Sequence, residues 1–136
     1  MSPDQDWTIE FYLAADLRTP GSAFLNGCPV GRRLEAIIES VRAYPPYKYP
    51  TTLMWHAMRL DMKGIHEARA RNRNLLHRLF CVLDKDQENI LGGPAIIVLG
   101  GGTKPMNSAM DSDVYEAILE AKDRYWATKP RPITLS

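Results

Sequence analysis

Residues 65–83 read IHEARARNRNLLHRLFCVL, two runs of strand-forming residues joined by the polar triplet Asn72-Arg73-Asn74. Side chains alternate between faces along a strand, and asparagine tolerates the backbone conformations of a tight turn. The stretch therefore predicts a β-hairpin with strands over 65–71 and 75–83. Arginines and histidines stand where an ordinary half-buried strand carries Thr, Ser or Lys, so the hairpin is a candidate binding surface.

The rest of the chain supplies further elements around this hairpin. On its N-terminal side we expect a strand over 7–13, a loop over 16–27 with at most one helical turn at 22–25, an amphipathic helix over 29–43, an extended three-proline connector over 44–50 and a strand over 51–60. On its C-terminal side we expect a turn over 84–93, a strand over 95–99, and a helix from Asp113 that has capping-box spacing with Glu116.

This order of elements predicts an α+β fold in which helices pack on one face of a small, mostly antiparallel sheet. The chain of 136 residues is long enough for one domain with one core, so we expect a single domain over 1–136. The segment after Trp126 carries Pro130 and Pro132, and we expect a loose tail over about 127–136.

The charge distribution is more informative than the total. The formal net charge is only +1, but residues 59–78 hold six Lys or Arg against two acids. All three histidines, His56, His66 and His77, fall between positions 56 and 77. A basic surface on a rigid sheet suits a polyanion, above all an RNA backbone. The alternative is a solvated face whose arginines pair with Glu67 and nearby acids.

Imidazole exchanges protons near neutral pH, so a histidine beside arginines could support cleavage of RNA by its own 2′-hydroxyl. His77 precedes Arg78 directly, and we expect His77 or His66 to line the basic face; His56 is the weakest candidate because it follows Trp55.

The run Gly100-Gly101-Gly102-Thr103-Lys104 lacks the order of a phosphate-binding P-loop, and we expect a flexible turn that leaves Lys104 mobile. No spacing typical of a metal site occurs, so we expect neither metal nor cofactor. Two cysteines without a disulfide framework, and no apolar run near 20 residues, favour the cytoplasm and no membrane association.

Several short motifs together resemble the RelE/ParE superfamily of toxins, in its phage-derived HigB-like branch. Lys63-Gly64-Ile65-His66-Glu67-Ala68-Arg69 resembles the family's "kGlyElR" strand, and Leu76-His77-Arg78-Leu79-Phe80-Cys81 resembles "yRvfy". Residues 95–99 followed by Lys104 resemble "ivlLhgFvKK", and residues 111–124 resemble the closing helix. The resemblance covers about residues 7–126. The family's His-Gly-Phe after the last strand is Gly100-Gly101-Gly102 here, which removes one candidate catalytic histidine.

The resemblance implies a RelE-like fold and a toxin of a type II toxin–antitoxin system. Members of this branch are mRNA interferases, so it implies a metal-independent endoribonuclease that inhibits translation at the ribosome. Arg69 and Arg78 match the family's two strand arginines, and Lys104 matches the first lysine after the fourth strand; a catalytic His77 or His66 is our own inference. We expect RNA contacts from Lys63, Arg71, Arg73 and Lys104.

The implied partners are mRNA, the ribosome and a cognate antitoxin with a helix-turn-helix, as in HigA-like proteins. Two alternatives stay open. A ParE-type member of the same fold would act on gyrase, and a non-catalytic, phage-associated binding module would have kept the scaffold without the site. The sequence leaves the oligomeric state undetermined.

Overall fold

A computed structural model describes residues 7–43, 46–48, 54–85 and 93–134. Its strands are β1 (Thr8–Tyr12), β2 (Trp55–Ala57), β3 (His66–Asn72), β4 (Leu75–Asp84), β5 (Ala95–Pro105) and β6 (Ile133–Thr134). Its helices are α1 (Pro20–Gly27), α2 (Gly31–Val41) and α3 (Ser112–Ala127). Two single 3₁₀ turns lie at Pro46–Lys48 and Leu60–Met62.

The strands form one sheet in the order β2-β3-β4-β5-β1-β6. Only β1 and β5 pair in parallel among these strands; the other pairings are antiparallel. The predicted α+β class with a mostly antiparallel sheet is thus confirmed. The predicted hairpin is β3–β4, with Arg69 opposite Arg78 and Ala70 opposite His77. Its tight turn places Arg73, rather than an asparagine, at a positive φ of 57°.

Helices cover both faces of the sheet, which corrects the expectation of one covered face. On one side, which we call the α2 face, α1 and α2 pack Leu25, Leu34 and Ile38 against the strands. On the other, the α3 face, Ile118, Ala121 and Tyr125 of α3 pack against them. The run Ala95–Leu99 explains this arrangement, because all five residues are fully buried and such a strand needs cover on each side.

The three glycines after that run lie inside β5 and do not form the expected turn. A side chain at Gly101 would overlap the ring of Phe24 in α1, and a Cβ on Gly102 would lie 2.7 Å from Val114 Cγ1 in α3. Glycine therefore lets a helix approach the strand closely on each face.

Three other segments differ from expectation. Helix α1 occupies Pro20–Gly27, where a loop with one turn was expected. Strand β2 is only three residues long, and residues 51–53 of the expected strand lie outside the described residues. The tail is docked where it was expected to be loose, because β6 pairs with β1 and Leu13 donates its amide hydrogen to the Pro132 carbonyl at 2.8 Å. Most of the 44–50 connector and of the 84–93 turn lies outside the described residues.

Candidate functional site

The strand alternation separates the predicted catalytic residues into two groups. His66 and His77 lie on the α2 face, in the same alternation as the core residues Ala68 and Leu79. Arg69 and Arg78, which are cross-strand partners, lie on the α3 face with the side chains of Glu67 and Phe80. The expected meeting of these histidines and arginines at one spot is therefore wrong.

His77 and His66 are packed into the α2 face. The Nδ1 atom of His77 lies 2.8 Å from Thr103 Oγ1, and burial lowers the pKa of the imidazole. The ring of His66 stacks on Trp55 with 5.3 Å between centroids, and its pKa is lowered first by burial and then by the nearby His56. Both imidazoles therefore favour their neutral form, with His77 buried and His66 half-buried.

A different cluster lies on the α3 face, around Glu67. This side chain is only 1% exposed, yet it is an acid on the strand that carries the arginines. Its Oε1 atom lies 2.8 Å from His56 Nε2 and 3.6 Å from Arg69 Nε, and its Oε2 atom lies 3.5 Å from Arg78 Nη1. Burial of a carboxylate is costly unless cations face it, and here three ionisable nitrogen groups do so.

The groups around Glu67 are accessible, although the carboxylate is not. The side chains of His56 and Arg69 are each 21% exposed, and that of Arg78 is 14% exposed. A solvent-borne ligand can therefore approach an imidazole and two guanidinium groups whose positions depend on an inaccessible carboxylate. We call these four residues the Glu67 cluster.

Helix α3 positions Arg78. Arg78 Nη1 donates a hydrogen bond to the Tyr115 hydroxyl oxygen at 2.9 Å, and the Tyr115 ring packs edge-on against Phe80. The ion pair between Arg78 and Glu67 lacks hydrogen-bond geometry, since Glu67 Oε2 and Arg78 Nε have no hydrogen-bond partner within the described part of the chain. Arg78 therefore has hydrogen-bond donors that the Glu67 carboxylate does not bind.

Sequence reasoning ranked His56 last and missed Glu67 and Tyr115 as members of a site. The useful signal was alternation in β2. A buried Trp55 on the α2 face forces His56 onto the opposite face, and the β2–β3 register places His56 directly opposite Glu67. That register is not readable from β2 alone.

The four residues expected to bind RNA have different surroundings. Arg71 and Arg73 are exposed at the hairpin end of the sheet, beyond Arg69. Lys63 lies at the other end of β3, where its carbonyl accepts a hydrogen bond from Lys122 Nζ at 3.1 Å. Lys104 is not mobile as expected, because its Nζ donates to the Ser108 carbonyl at 2.7 Å and closes the turn after β5.

Neither the described residues nor known proteins identify a family or a bound group for this chain. No cluster of three or more His, Cys, Asp or Glu in residues 7–43, 46–48, 54–85 and 93–134 could hold a metal ion. Over the same residues, every helix is too short or too polar to span a bilayer. Neither the family models, nor the curated proteins, nor the solved structures contain a significant match to this chain.

Proposed function

We propose that this protein is an endoribonuclease toxin of a type II toxin–antitoxin pair, with a RelE-like fold and the Glu67 cluster as its cleavage site. The observation that supports the proposal is the 2.8 Å contact between His56 and a buried carboxylate, on the sheet face that also carries Arg69 and Arg78. A carboxylate that orients an imidazole, with guanidinium groups beside it, meets the chemical needs of phosphodiester cleavage.

The proposed reaction is attack of a ribose 2′-oxygen on the adjacent phosphorus. His56 takes the 2′-hydroxyl proton, and Glu67 stabilises the imidazolium that forms. The bond between the 2′-oxygen and phosphorus forms while the bond to the 5′-oxygen breaks, water protonates the leaving oxygen, and the hydroxide that results takes the proton back from the His56 imidazolium. Arg69 and Arg78 stabilise the charge that gathers on the phosphoryl oxygens. The products are a 2′,3′-cyclic phosphate and a 5′-hydroxyl end.

The proposed biological setting follows from the resemblance of the motifs. Free toxin would cut mRNA at the ribosome and halt translation in the cytoplasm, and a helix-turn-helix antitoxin would neutralise it by covering the basic surface. Both arginines that match the family's strand arginines, Arg69 and Arg78, belong to the Glu67 cluster, which supports this assignment over a displaced or vestigial site.

The test is cleavage of an end-labelled mRNA in a reconstituted translation system, with product ends identified by their 2′,3′-cyclic phosphate. We expect His56→Gln to lower the cleavage rate by about 100-fold or more, since general base catalysis supplies roughly that factor. Arg78→Lys should also lower the rate, because it removes planar, bidentate recognition of phosphate.

His77→Gln is the matched control, because it removes an imidazole from the opposite face of the same sheet. It should cleave at a rate close to that of the unsubstituted protein. If His77→Gln abolishes cleavage while His56→Gln retains it, the site assignment is wrong. If the protein leaves mRNA intact and instead accumulates gyrase bound to cut DNA, the ParE-type alternative replaces the proposal; arrest without any cut nucleic acid would favour the non-catalytic module.

A further inference from the structure

A groove of roughly 570 Å³ runs between α2 and the outer edge of β3. Three arginines line it, Arg33 from α2 and Arg69 and Arg71 from β3, and none of the described residues that line it is acidic. The rest of the wall is largely apolar and includes Ile37, Met54, Leu76 and Met106. A groove that combines several cations with apolar surface suits a ligand with both a negative and a flat apolar part.

The groove lies beside the part of β3 that β2, at Trp55–Ala57, does not pair with. Among the described residues, pairing on this side ends with the hydrogen bond from the Arg69 amide to the carbonyl of Met54, just before β2, at 2.9 Å. Beyond it, no described strand pairs with the β3 edge. Arg33 reaches across from α2 instead and donates from Nη1 to the Arg71 carbonyl at 2.9 Å. This bond fixes a planar guanidinium group against the edge of the strand.

One residue, Arg69, belongs both to the groove and to the Glu67 cluster. Arg69 lines the groove and also places its Nε 3.6 Å from Glu67 Oε1. A chain whose phosphate lies at the cluster on the α3 face would pass Arg69 and turn around the edge of β3, where Arg33 of α2 meets the Arg71 carbonyl. Arg69 and Arg71 are two residues apart on β3, so they lie on the same side of the strand, with Arg71 farther from Glu67 along the chain.

We propose that this groove is a subsite for single-stranded RNA, which holds the nucleotides next to the cleaved phosphodiester. Arg71 and Arg33 take backbone phosphates, and an unpaired base lies against the fixed Arg33 plane and the methionine side chains. The inference rests on the proposed function for its direction along the RNA. Binding itself does not require cleavage. An acidic peptide would satisfy the cations but would have no planar group for the apolar wall.

The experiment measures binding of a fluorescein-labelled, eight-nucleotide 2′-O-methyl RNA, which cannot be cut, by anisotropy between 50 and 200 mM KCl. Arg33→Ala should raise the Kd by about fivefold or more and reduce the slope of log K against log salt by about 0.7, the value for one phosphate contact on a single strand. Arg32→Ala is the matched control, since Arg32 is an exposed neighbour on α2 that does not line the groove. It should bind within about twofold of the unsubstituted protein.

Arg33→Lys separates charge from shape: it should keep the salt slope yet bind more weakly, because a planar group is lost. Equal effects of Arg32→Ala and Arg33→Ala would overturn the subsite, as would displacement of the RNA by an octaglutamate peptide at equal charge. Circular dichroism of each variant checks that α2 remains folded. Failure of cleavage with Arg33-dependent binding retained would overturn only the proposed nuclease, so the two proposals fail separately.

Discussion

Glu67 is the residue on which the site depends, because it is buried while its partners are not. A lone carboxylate in this position would destabilise the fold. The contacts with His56, Arg69 and Arg78 offset that cost and hold three side chains at one place on the sheet. The buried carboxylate thus fixes the positions of three side chains that are themselves partly exposed.

At the same scale, His77 should make stability depend on pH. Burial lowers its pKa in the folded chain, so below its ordinary pKa of 6.5 the unfolded chain takes up a proton that the folded chain refuses. Stability should therefore be full above pH 6.5 and fall as the pH drops toward the folded pKa, by at most about 1.4 kcal/mol per pH unit for one group. Urea unfolding at pH 7.5 and 5.5 measures this difference.

His77→Gln keeps a polar contact available to Thr103 and removes the titration. The loss of stability between pH 7.5 and 5.5 should shrink in this variant by up to about 1 kcal/mol, with the remainder carried by His66 and other groups. An unchanged pH dependence in the variant would mean that His77 is protonated in the folded chain.

The residue identities of the site were only partly predictable. Arg69 and Arg78 could be proposed from the sequence because both lie in one recognisable hairpin. Alternation along β3 and β4 places His66 and His77 on the face opposite those arginines. His56 and Glu67 meet through the pairing of β2 with β3, a contact between strands whose register depends on packing of the whole sheet.

At the scale of elements, β5 shows why local propensity fails. Glycine is depleted in strands, so three in a row predict a turn. In the folded chain the same residues continue β5, and α1 and α3 approach so closely that a side chain at Gly101 or Gly102 would clash with them. Helix α1 was missed for a related reason, since its eight residues are stabilised by packing on β5 rather than by their own sequence pattern.

Gly101→Ala tests this account of β5. The new Cβ would overlap the Phe24 ring, and overpacking of this kind costs about 1–3 kcal/mol. Gly27→Ala is the control, because a Cβ there meets nothing within 4 Å and α1 should tolerate or prefer alanine. Urea unfolding should show a lower free energy of unfolding for the first variant only; equal stability of the two would mean that β5 and α1 are not tightly packed.

At the scale of the whole molecule, the C-terminal segment adds the strand β6 at one end of the sheet. The sequence predicted the class of the fold but not its layers, since helical periodicity shows which side of a helix is apolar and not which face of the sheet it covers. Pro130 and Pro132 predicted a loose tail, because a local pattern does not show which distant residues the tail contacts. What holds the tail is a distant residue, because the pair Arg131–Asp84 joins the tail to the far end of β4.

The last prediction concerns this pair. Arg131 Nε lies 3.6 Å from Asp84 Oδ2, with side chains that are 10% and 4% exposed, and the Tyr125 hydroxyl donates to the same oxygen at 2.7 Å. Burial and Asp84 raise the pKa of Tyr125 far above its usual value, so this hydroxyl stays a donor and cannot replace the positive charge. Arg131→Met leaves a buried carboxylate without its cation, and we expect a loss of about 2–4 kcal/mol in the free energy of unfolding.

The ion pair between Arg18 and Asp16 is the control for the Arg131–Asp84 pair, because its N···O distance is nearly the same but its side chains are exposed. Arg18 Nε lies 3.5 Å from Asp16 Oδ2 with side chains that are 85% and 61% exposed, so Arg18→Met should change stability by less than about 0.5 kcal/mol. Arg131→Met should also speed hydrogen exchange at the Leu13 amide, whose acceptor is the Pro132 carbonyl of the tail. Equal small effects of both substitutions, with exchange at Leu13 unchanged, would show that β6 is held by strand pairing alone and that burial adds nothing to the Arg131–Asp84 pair.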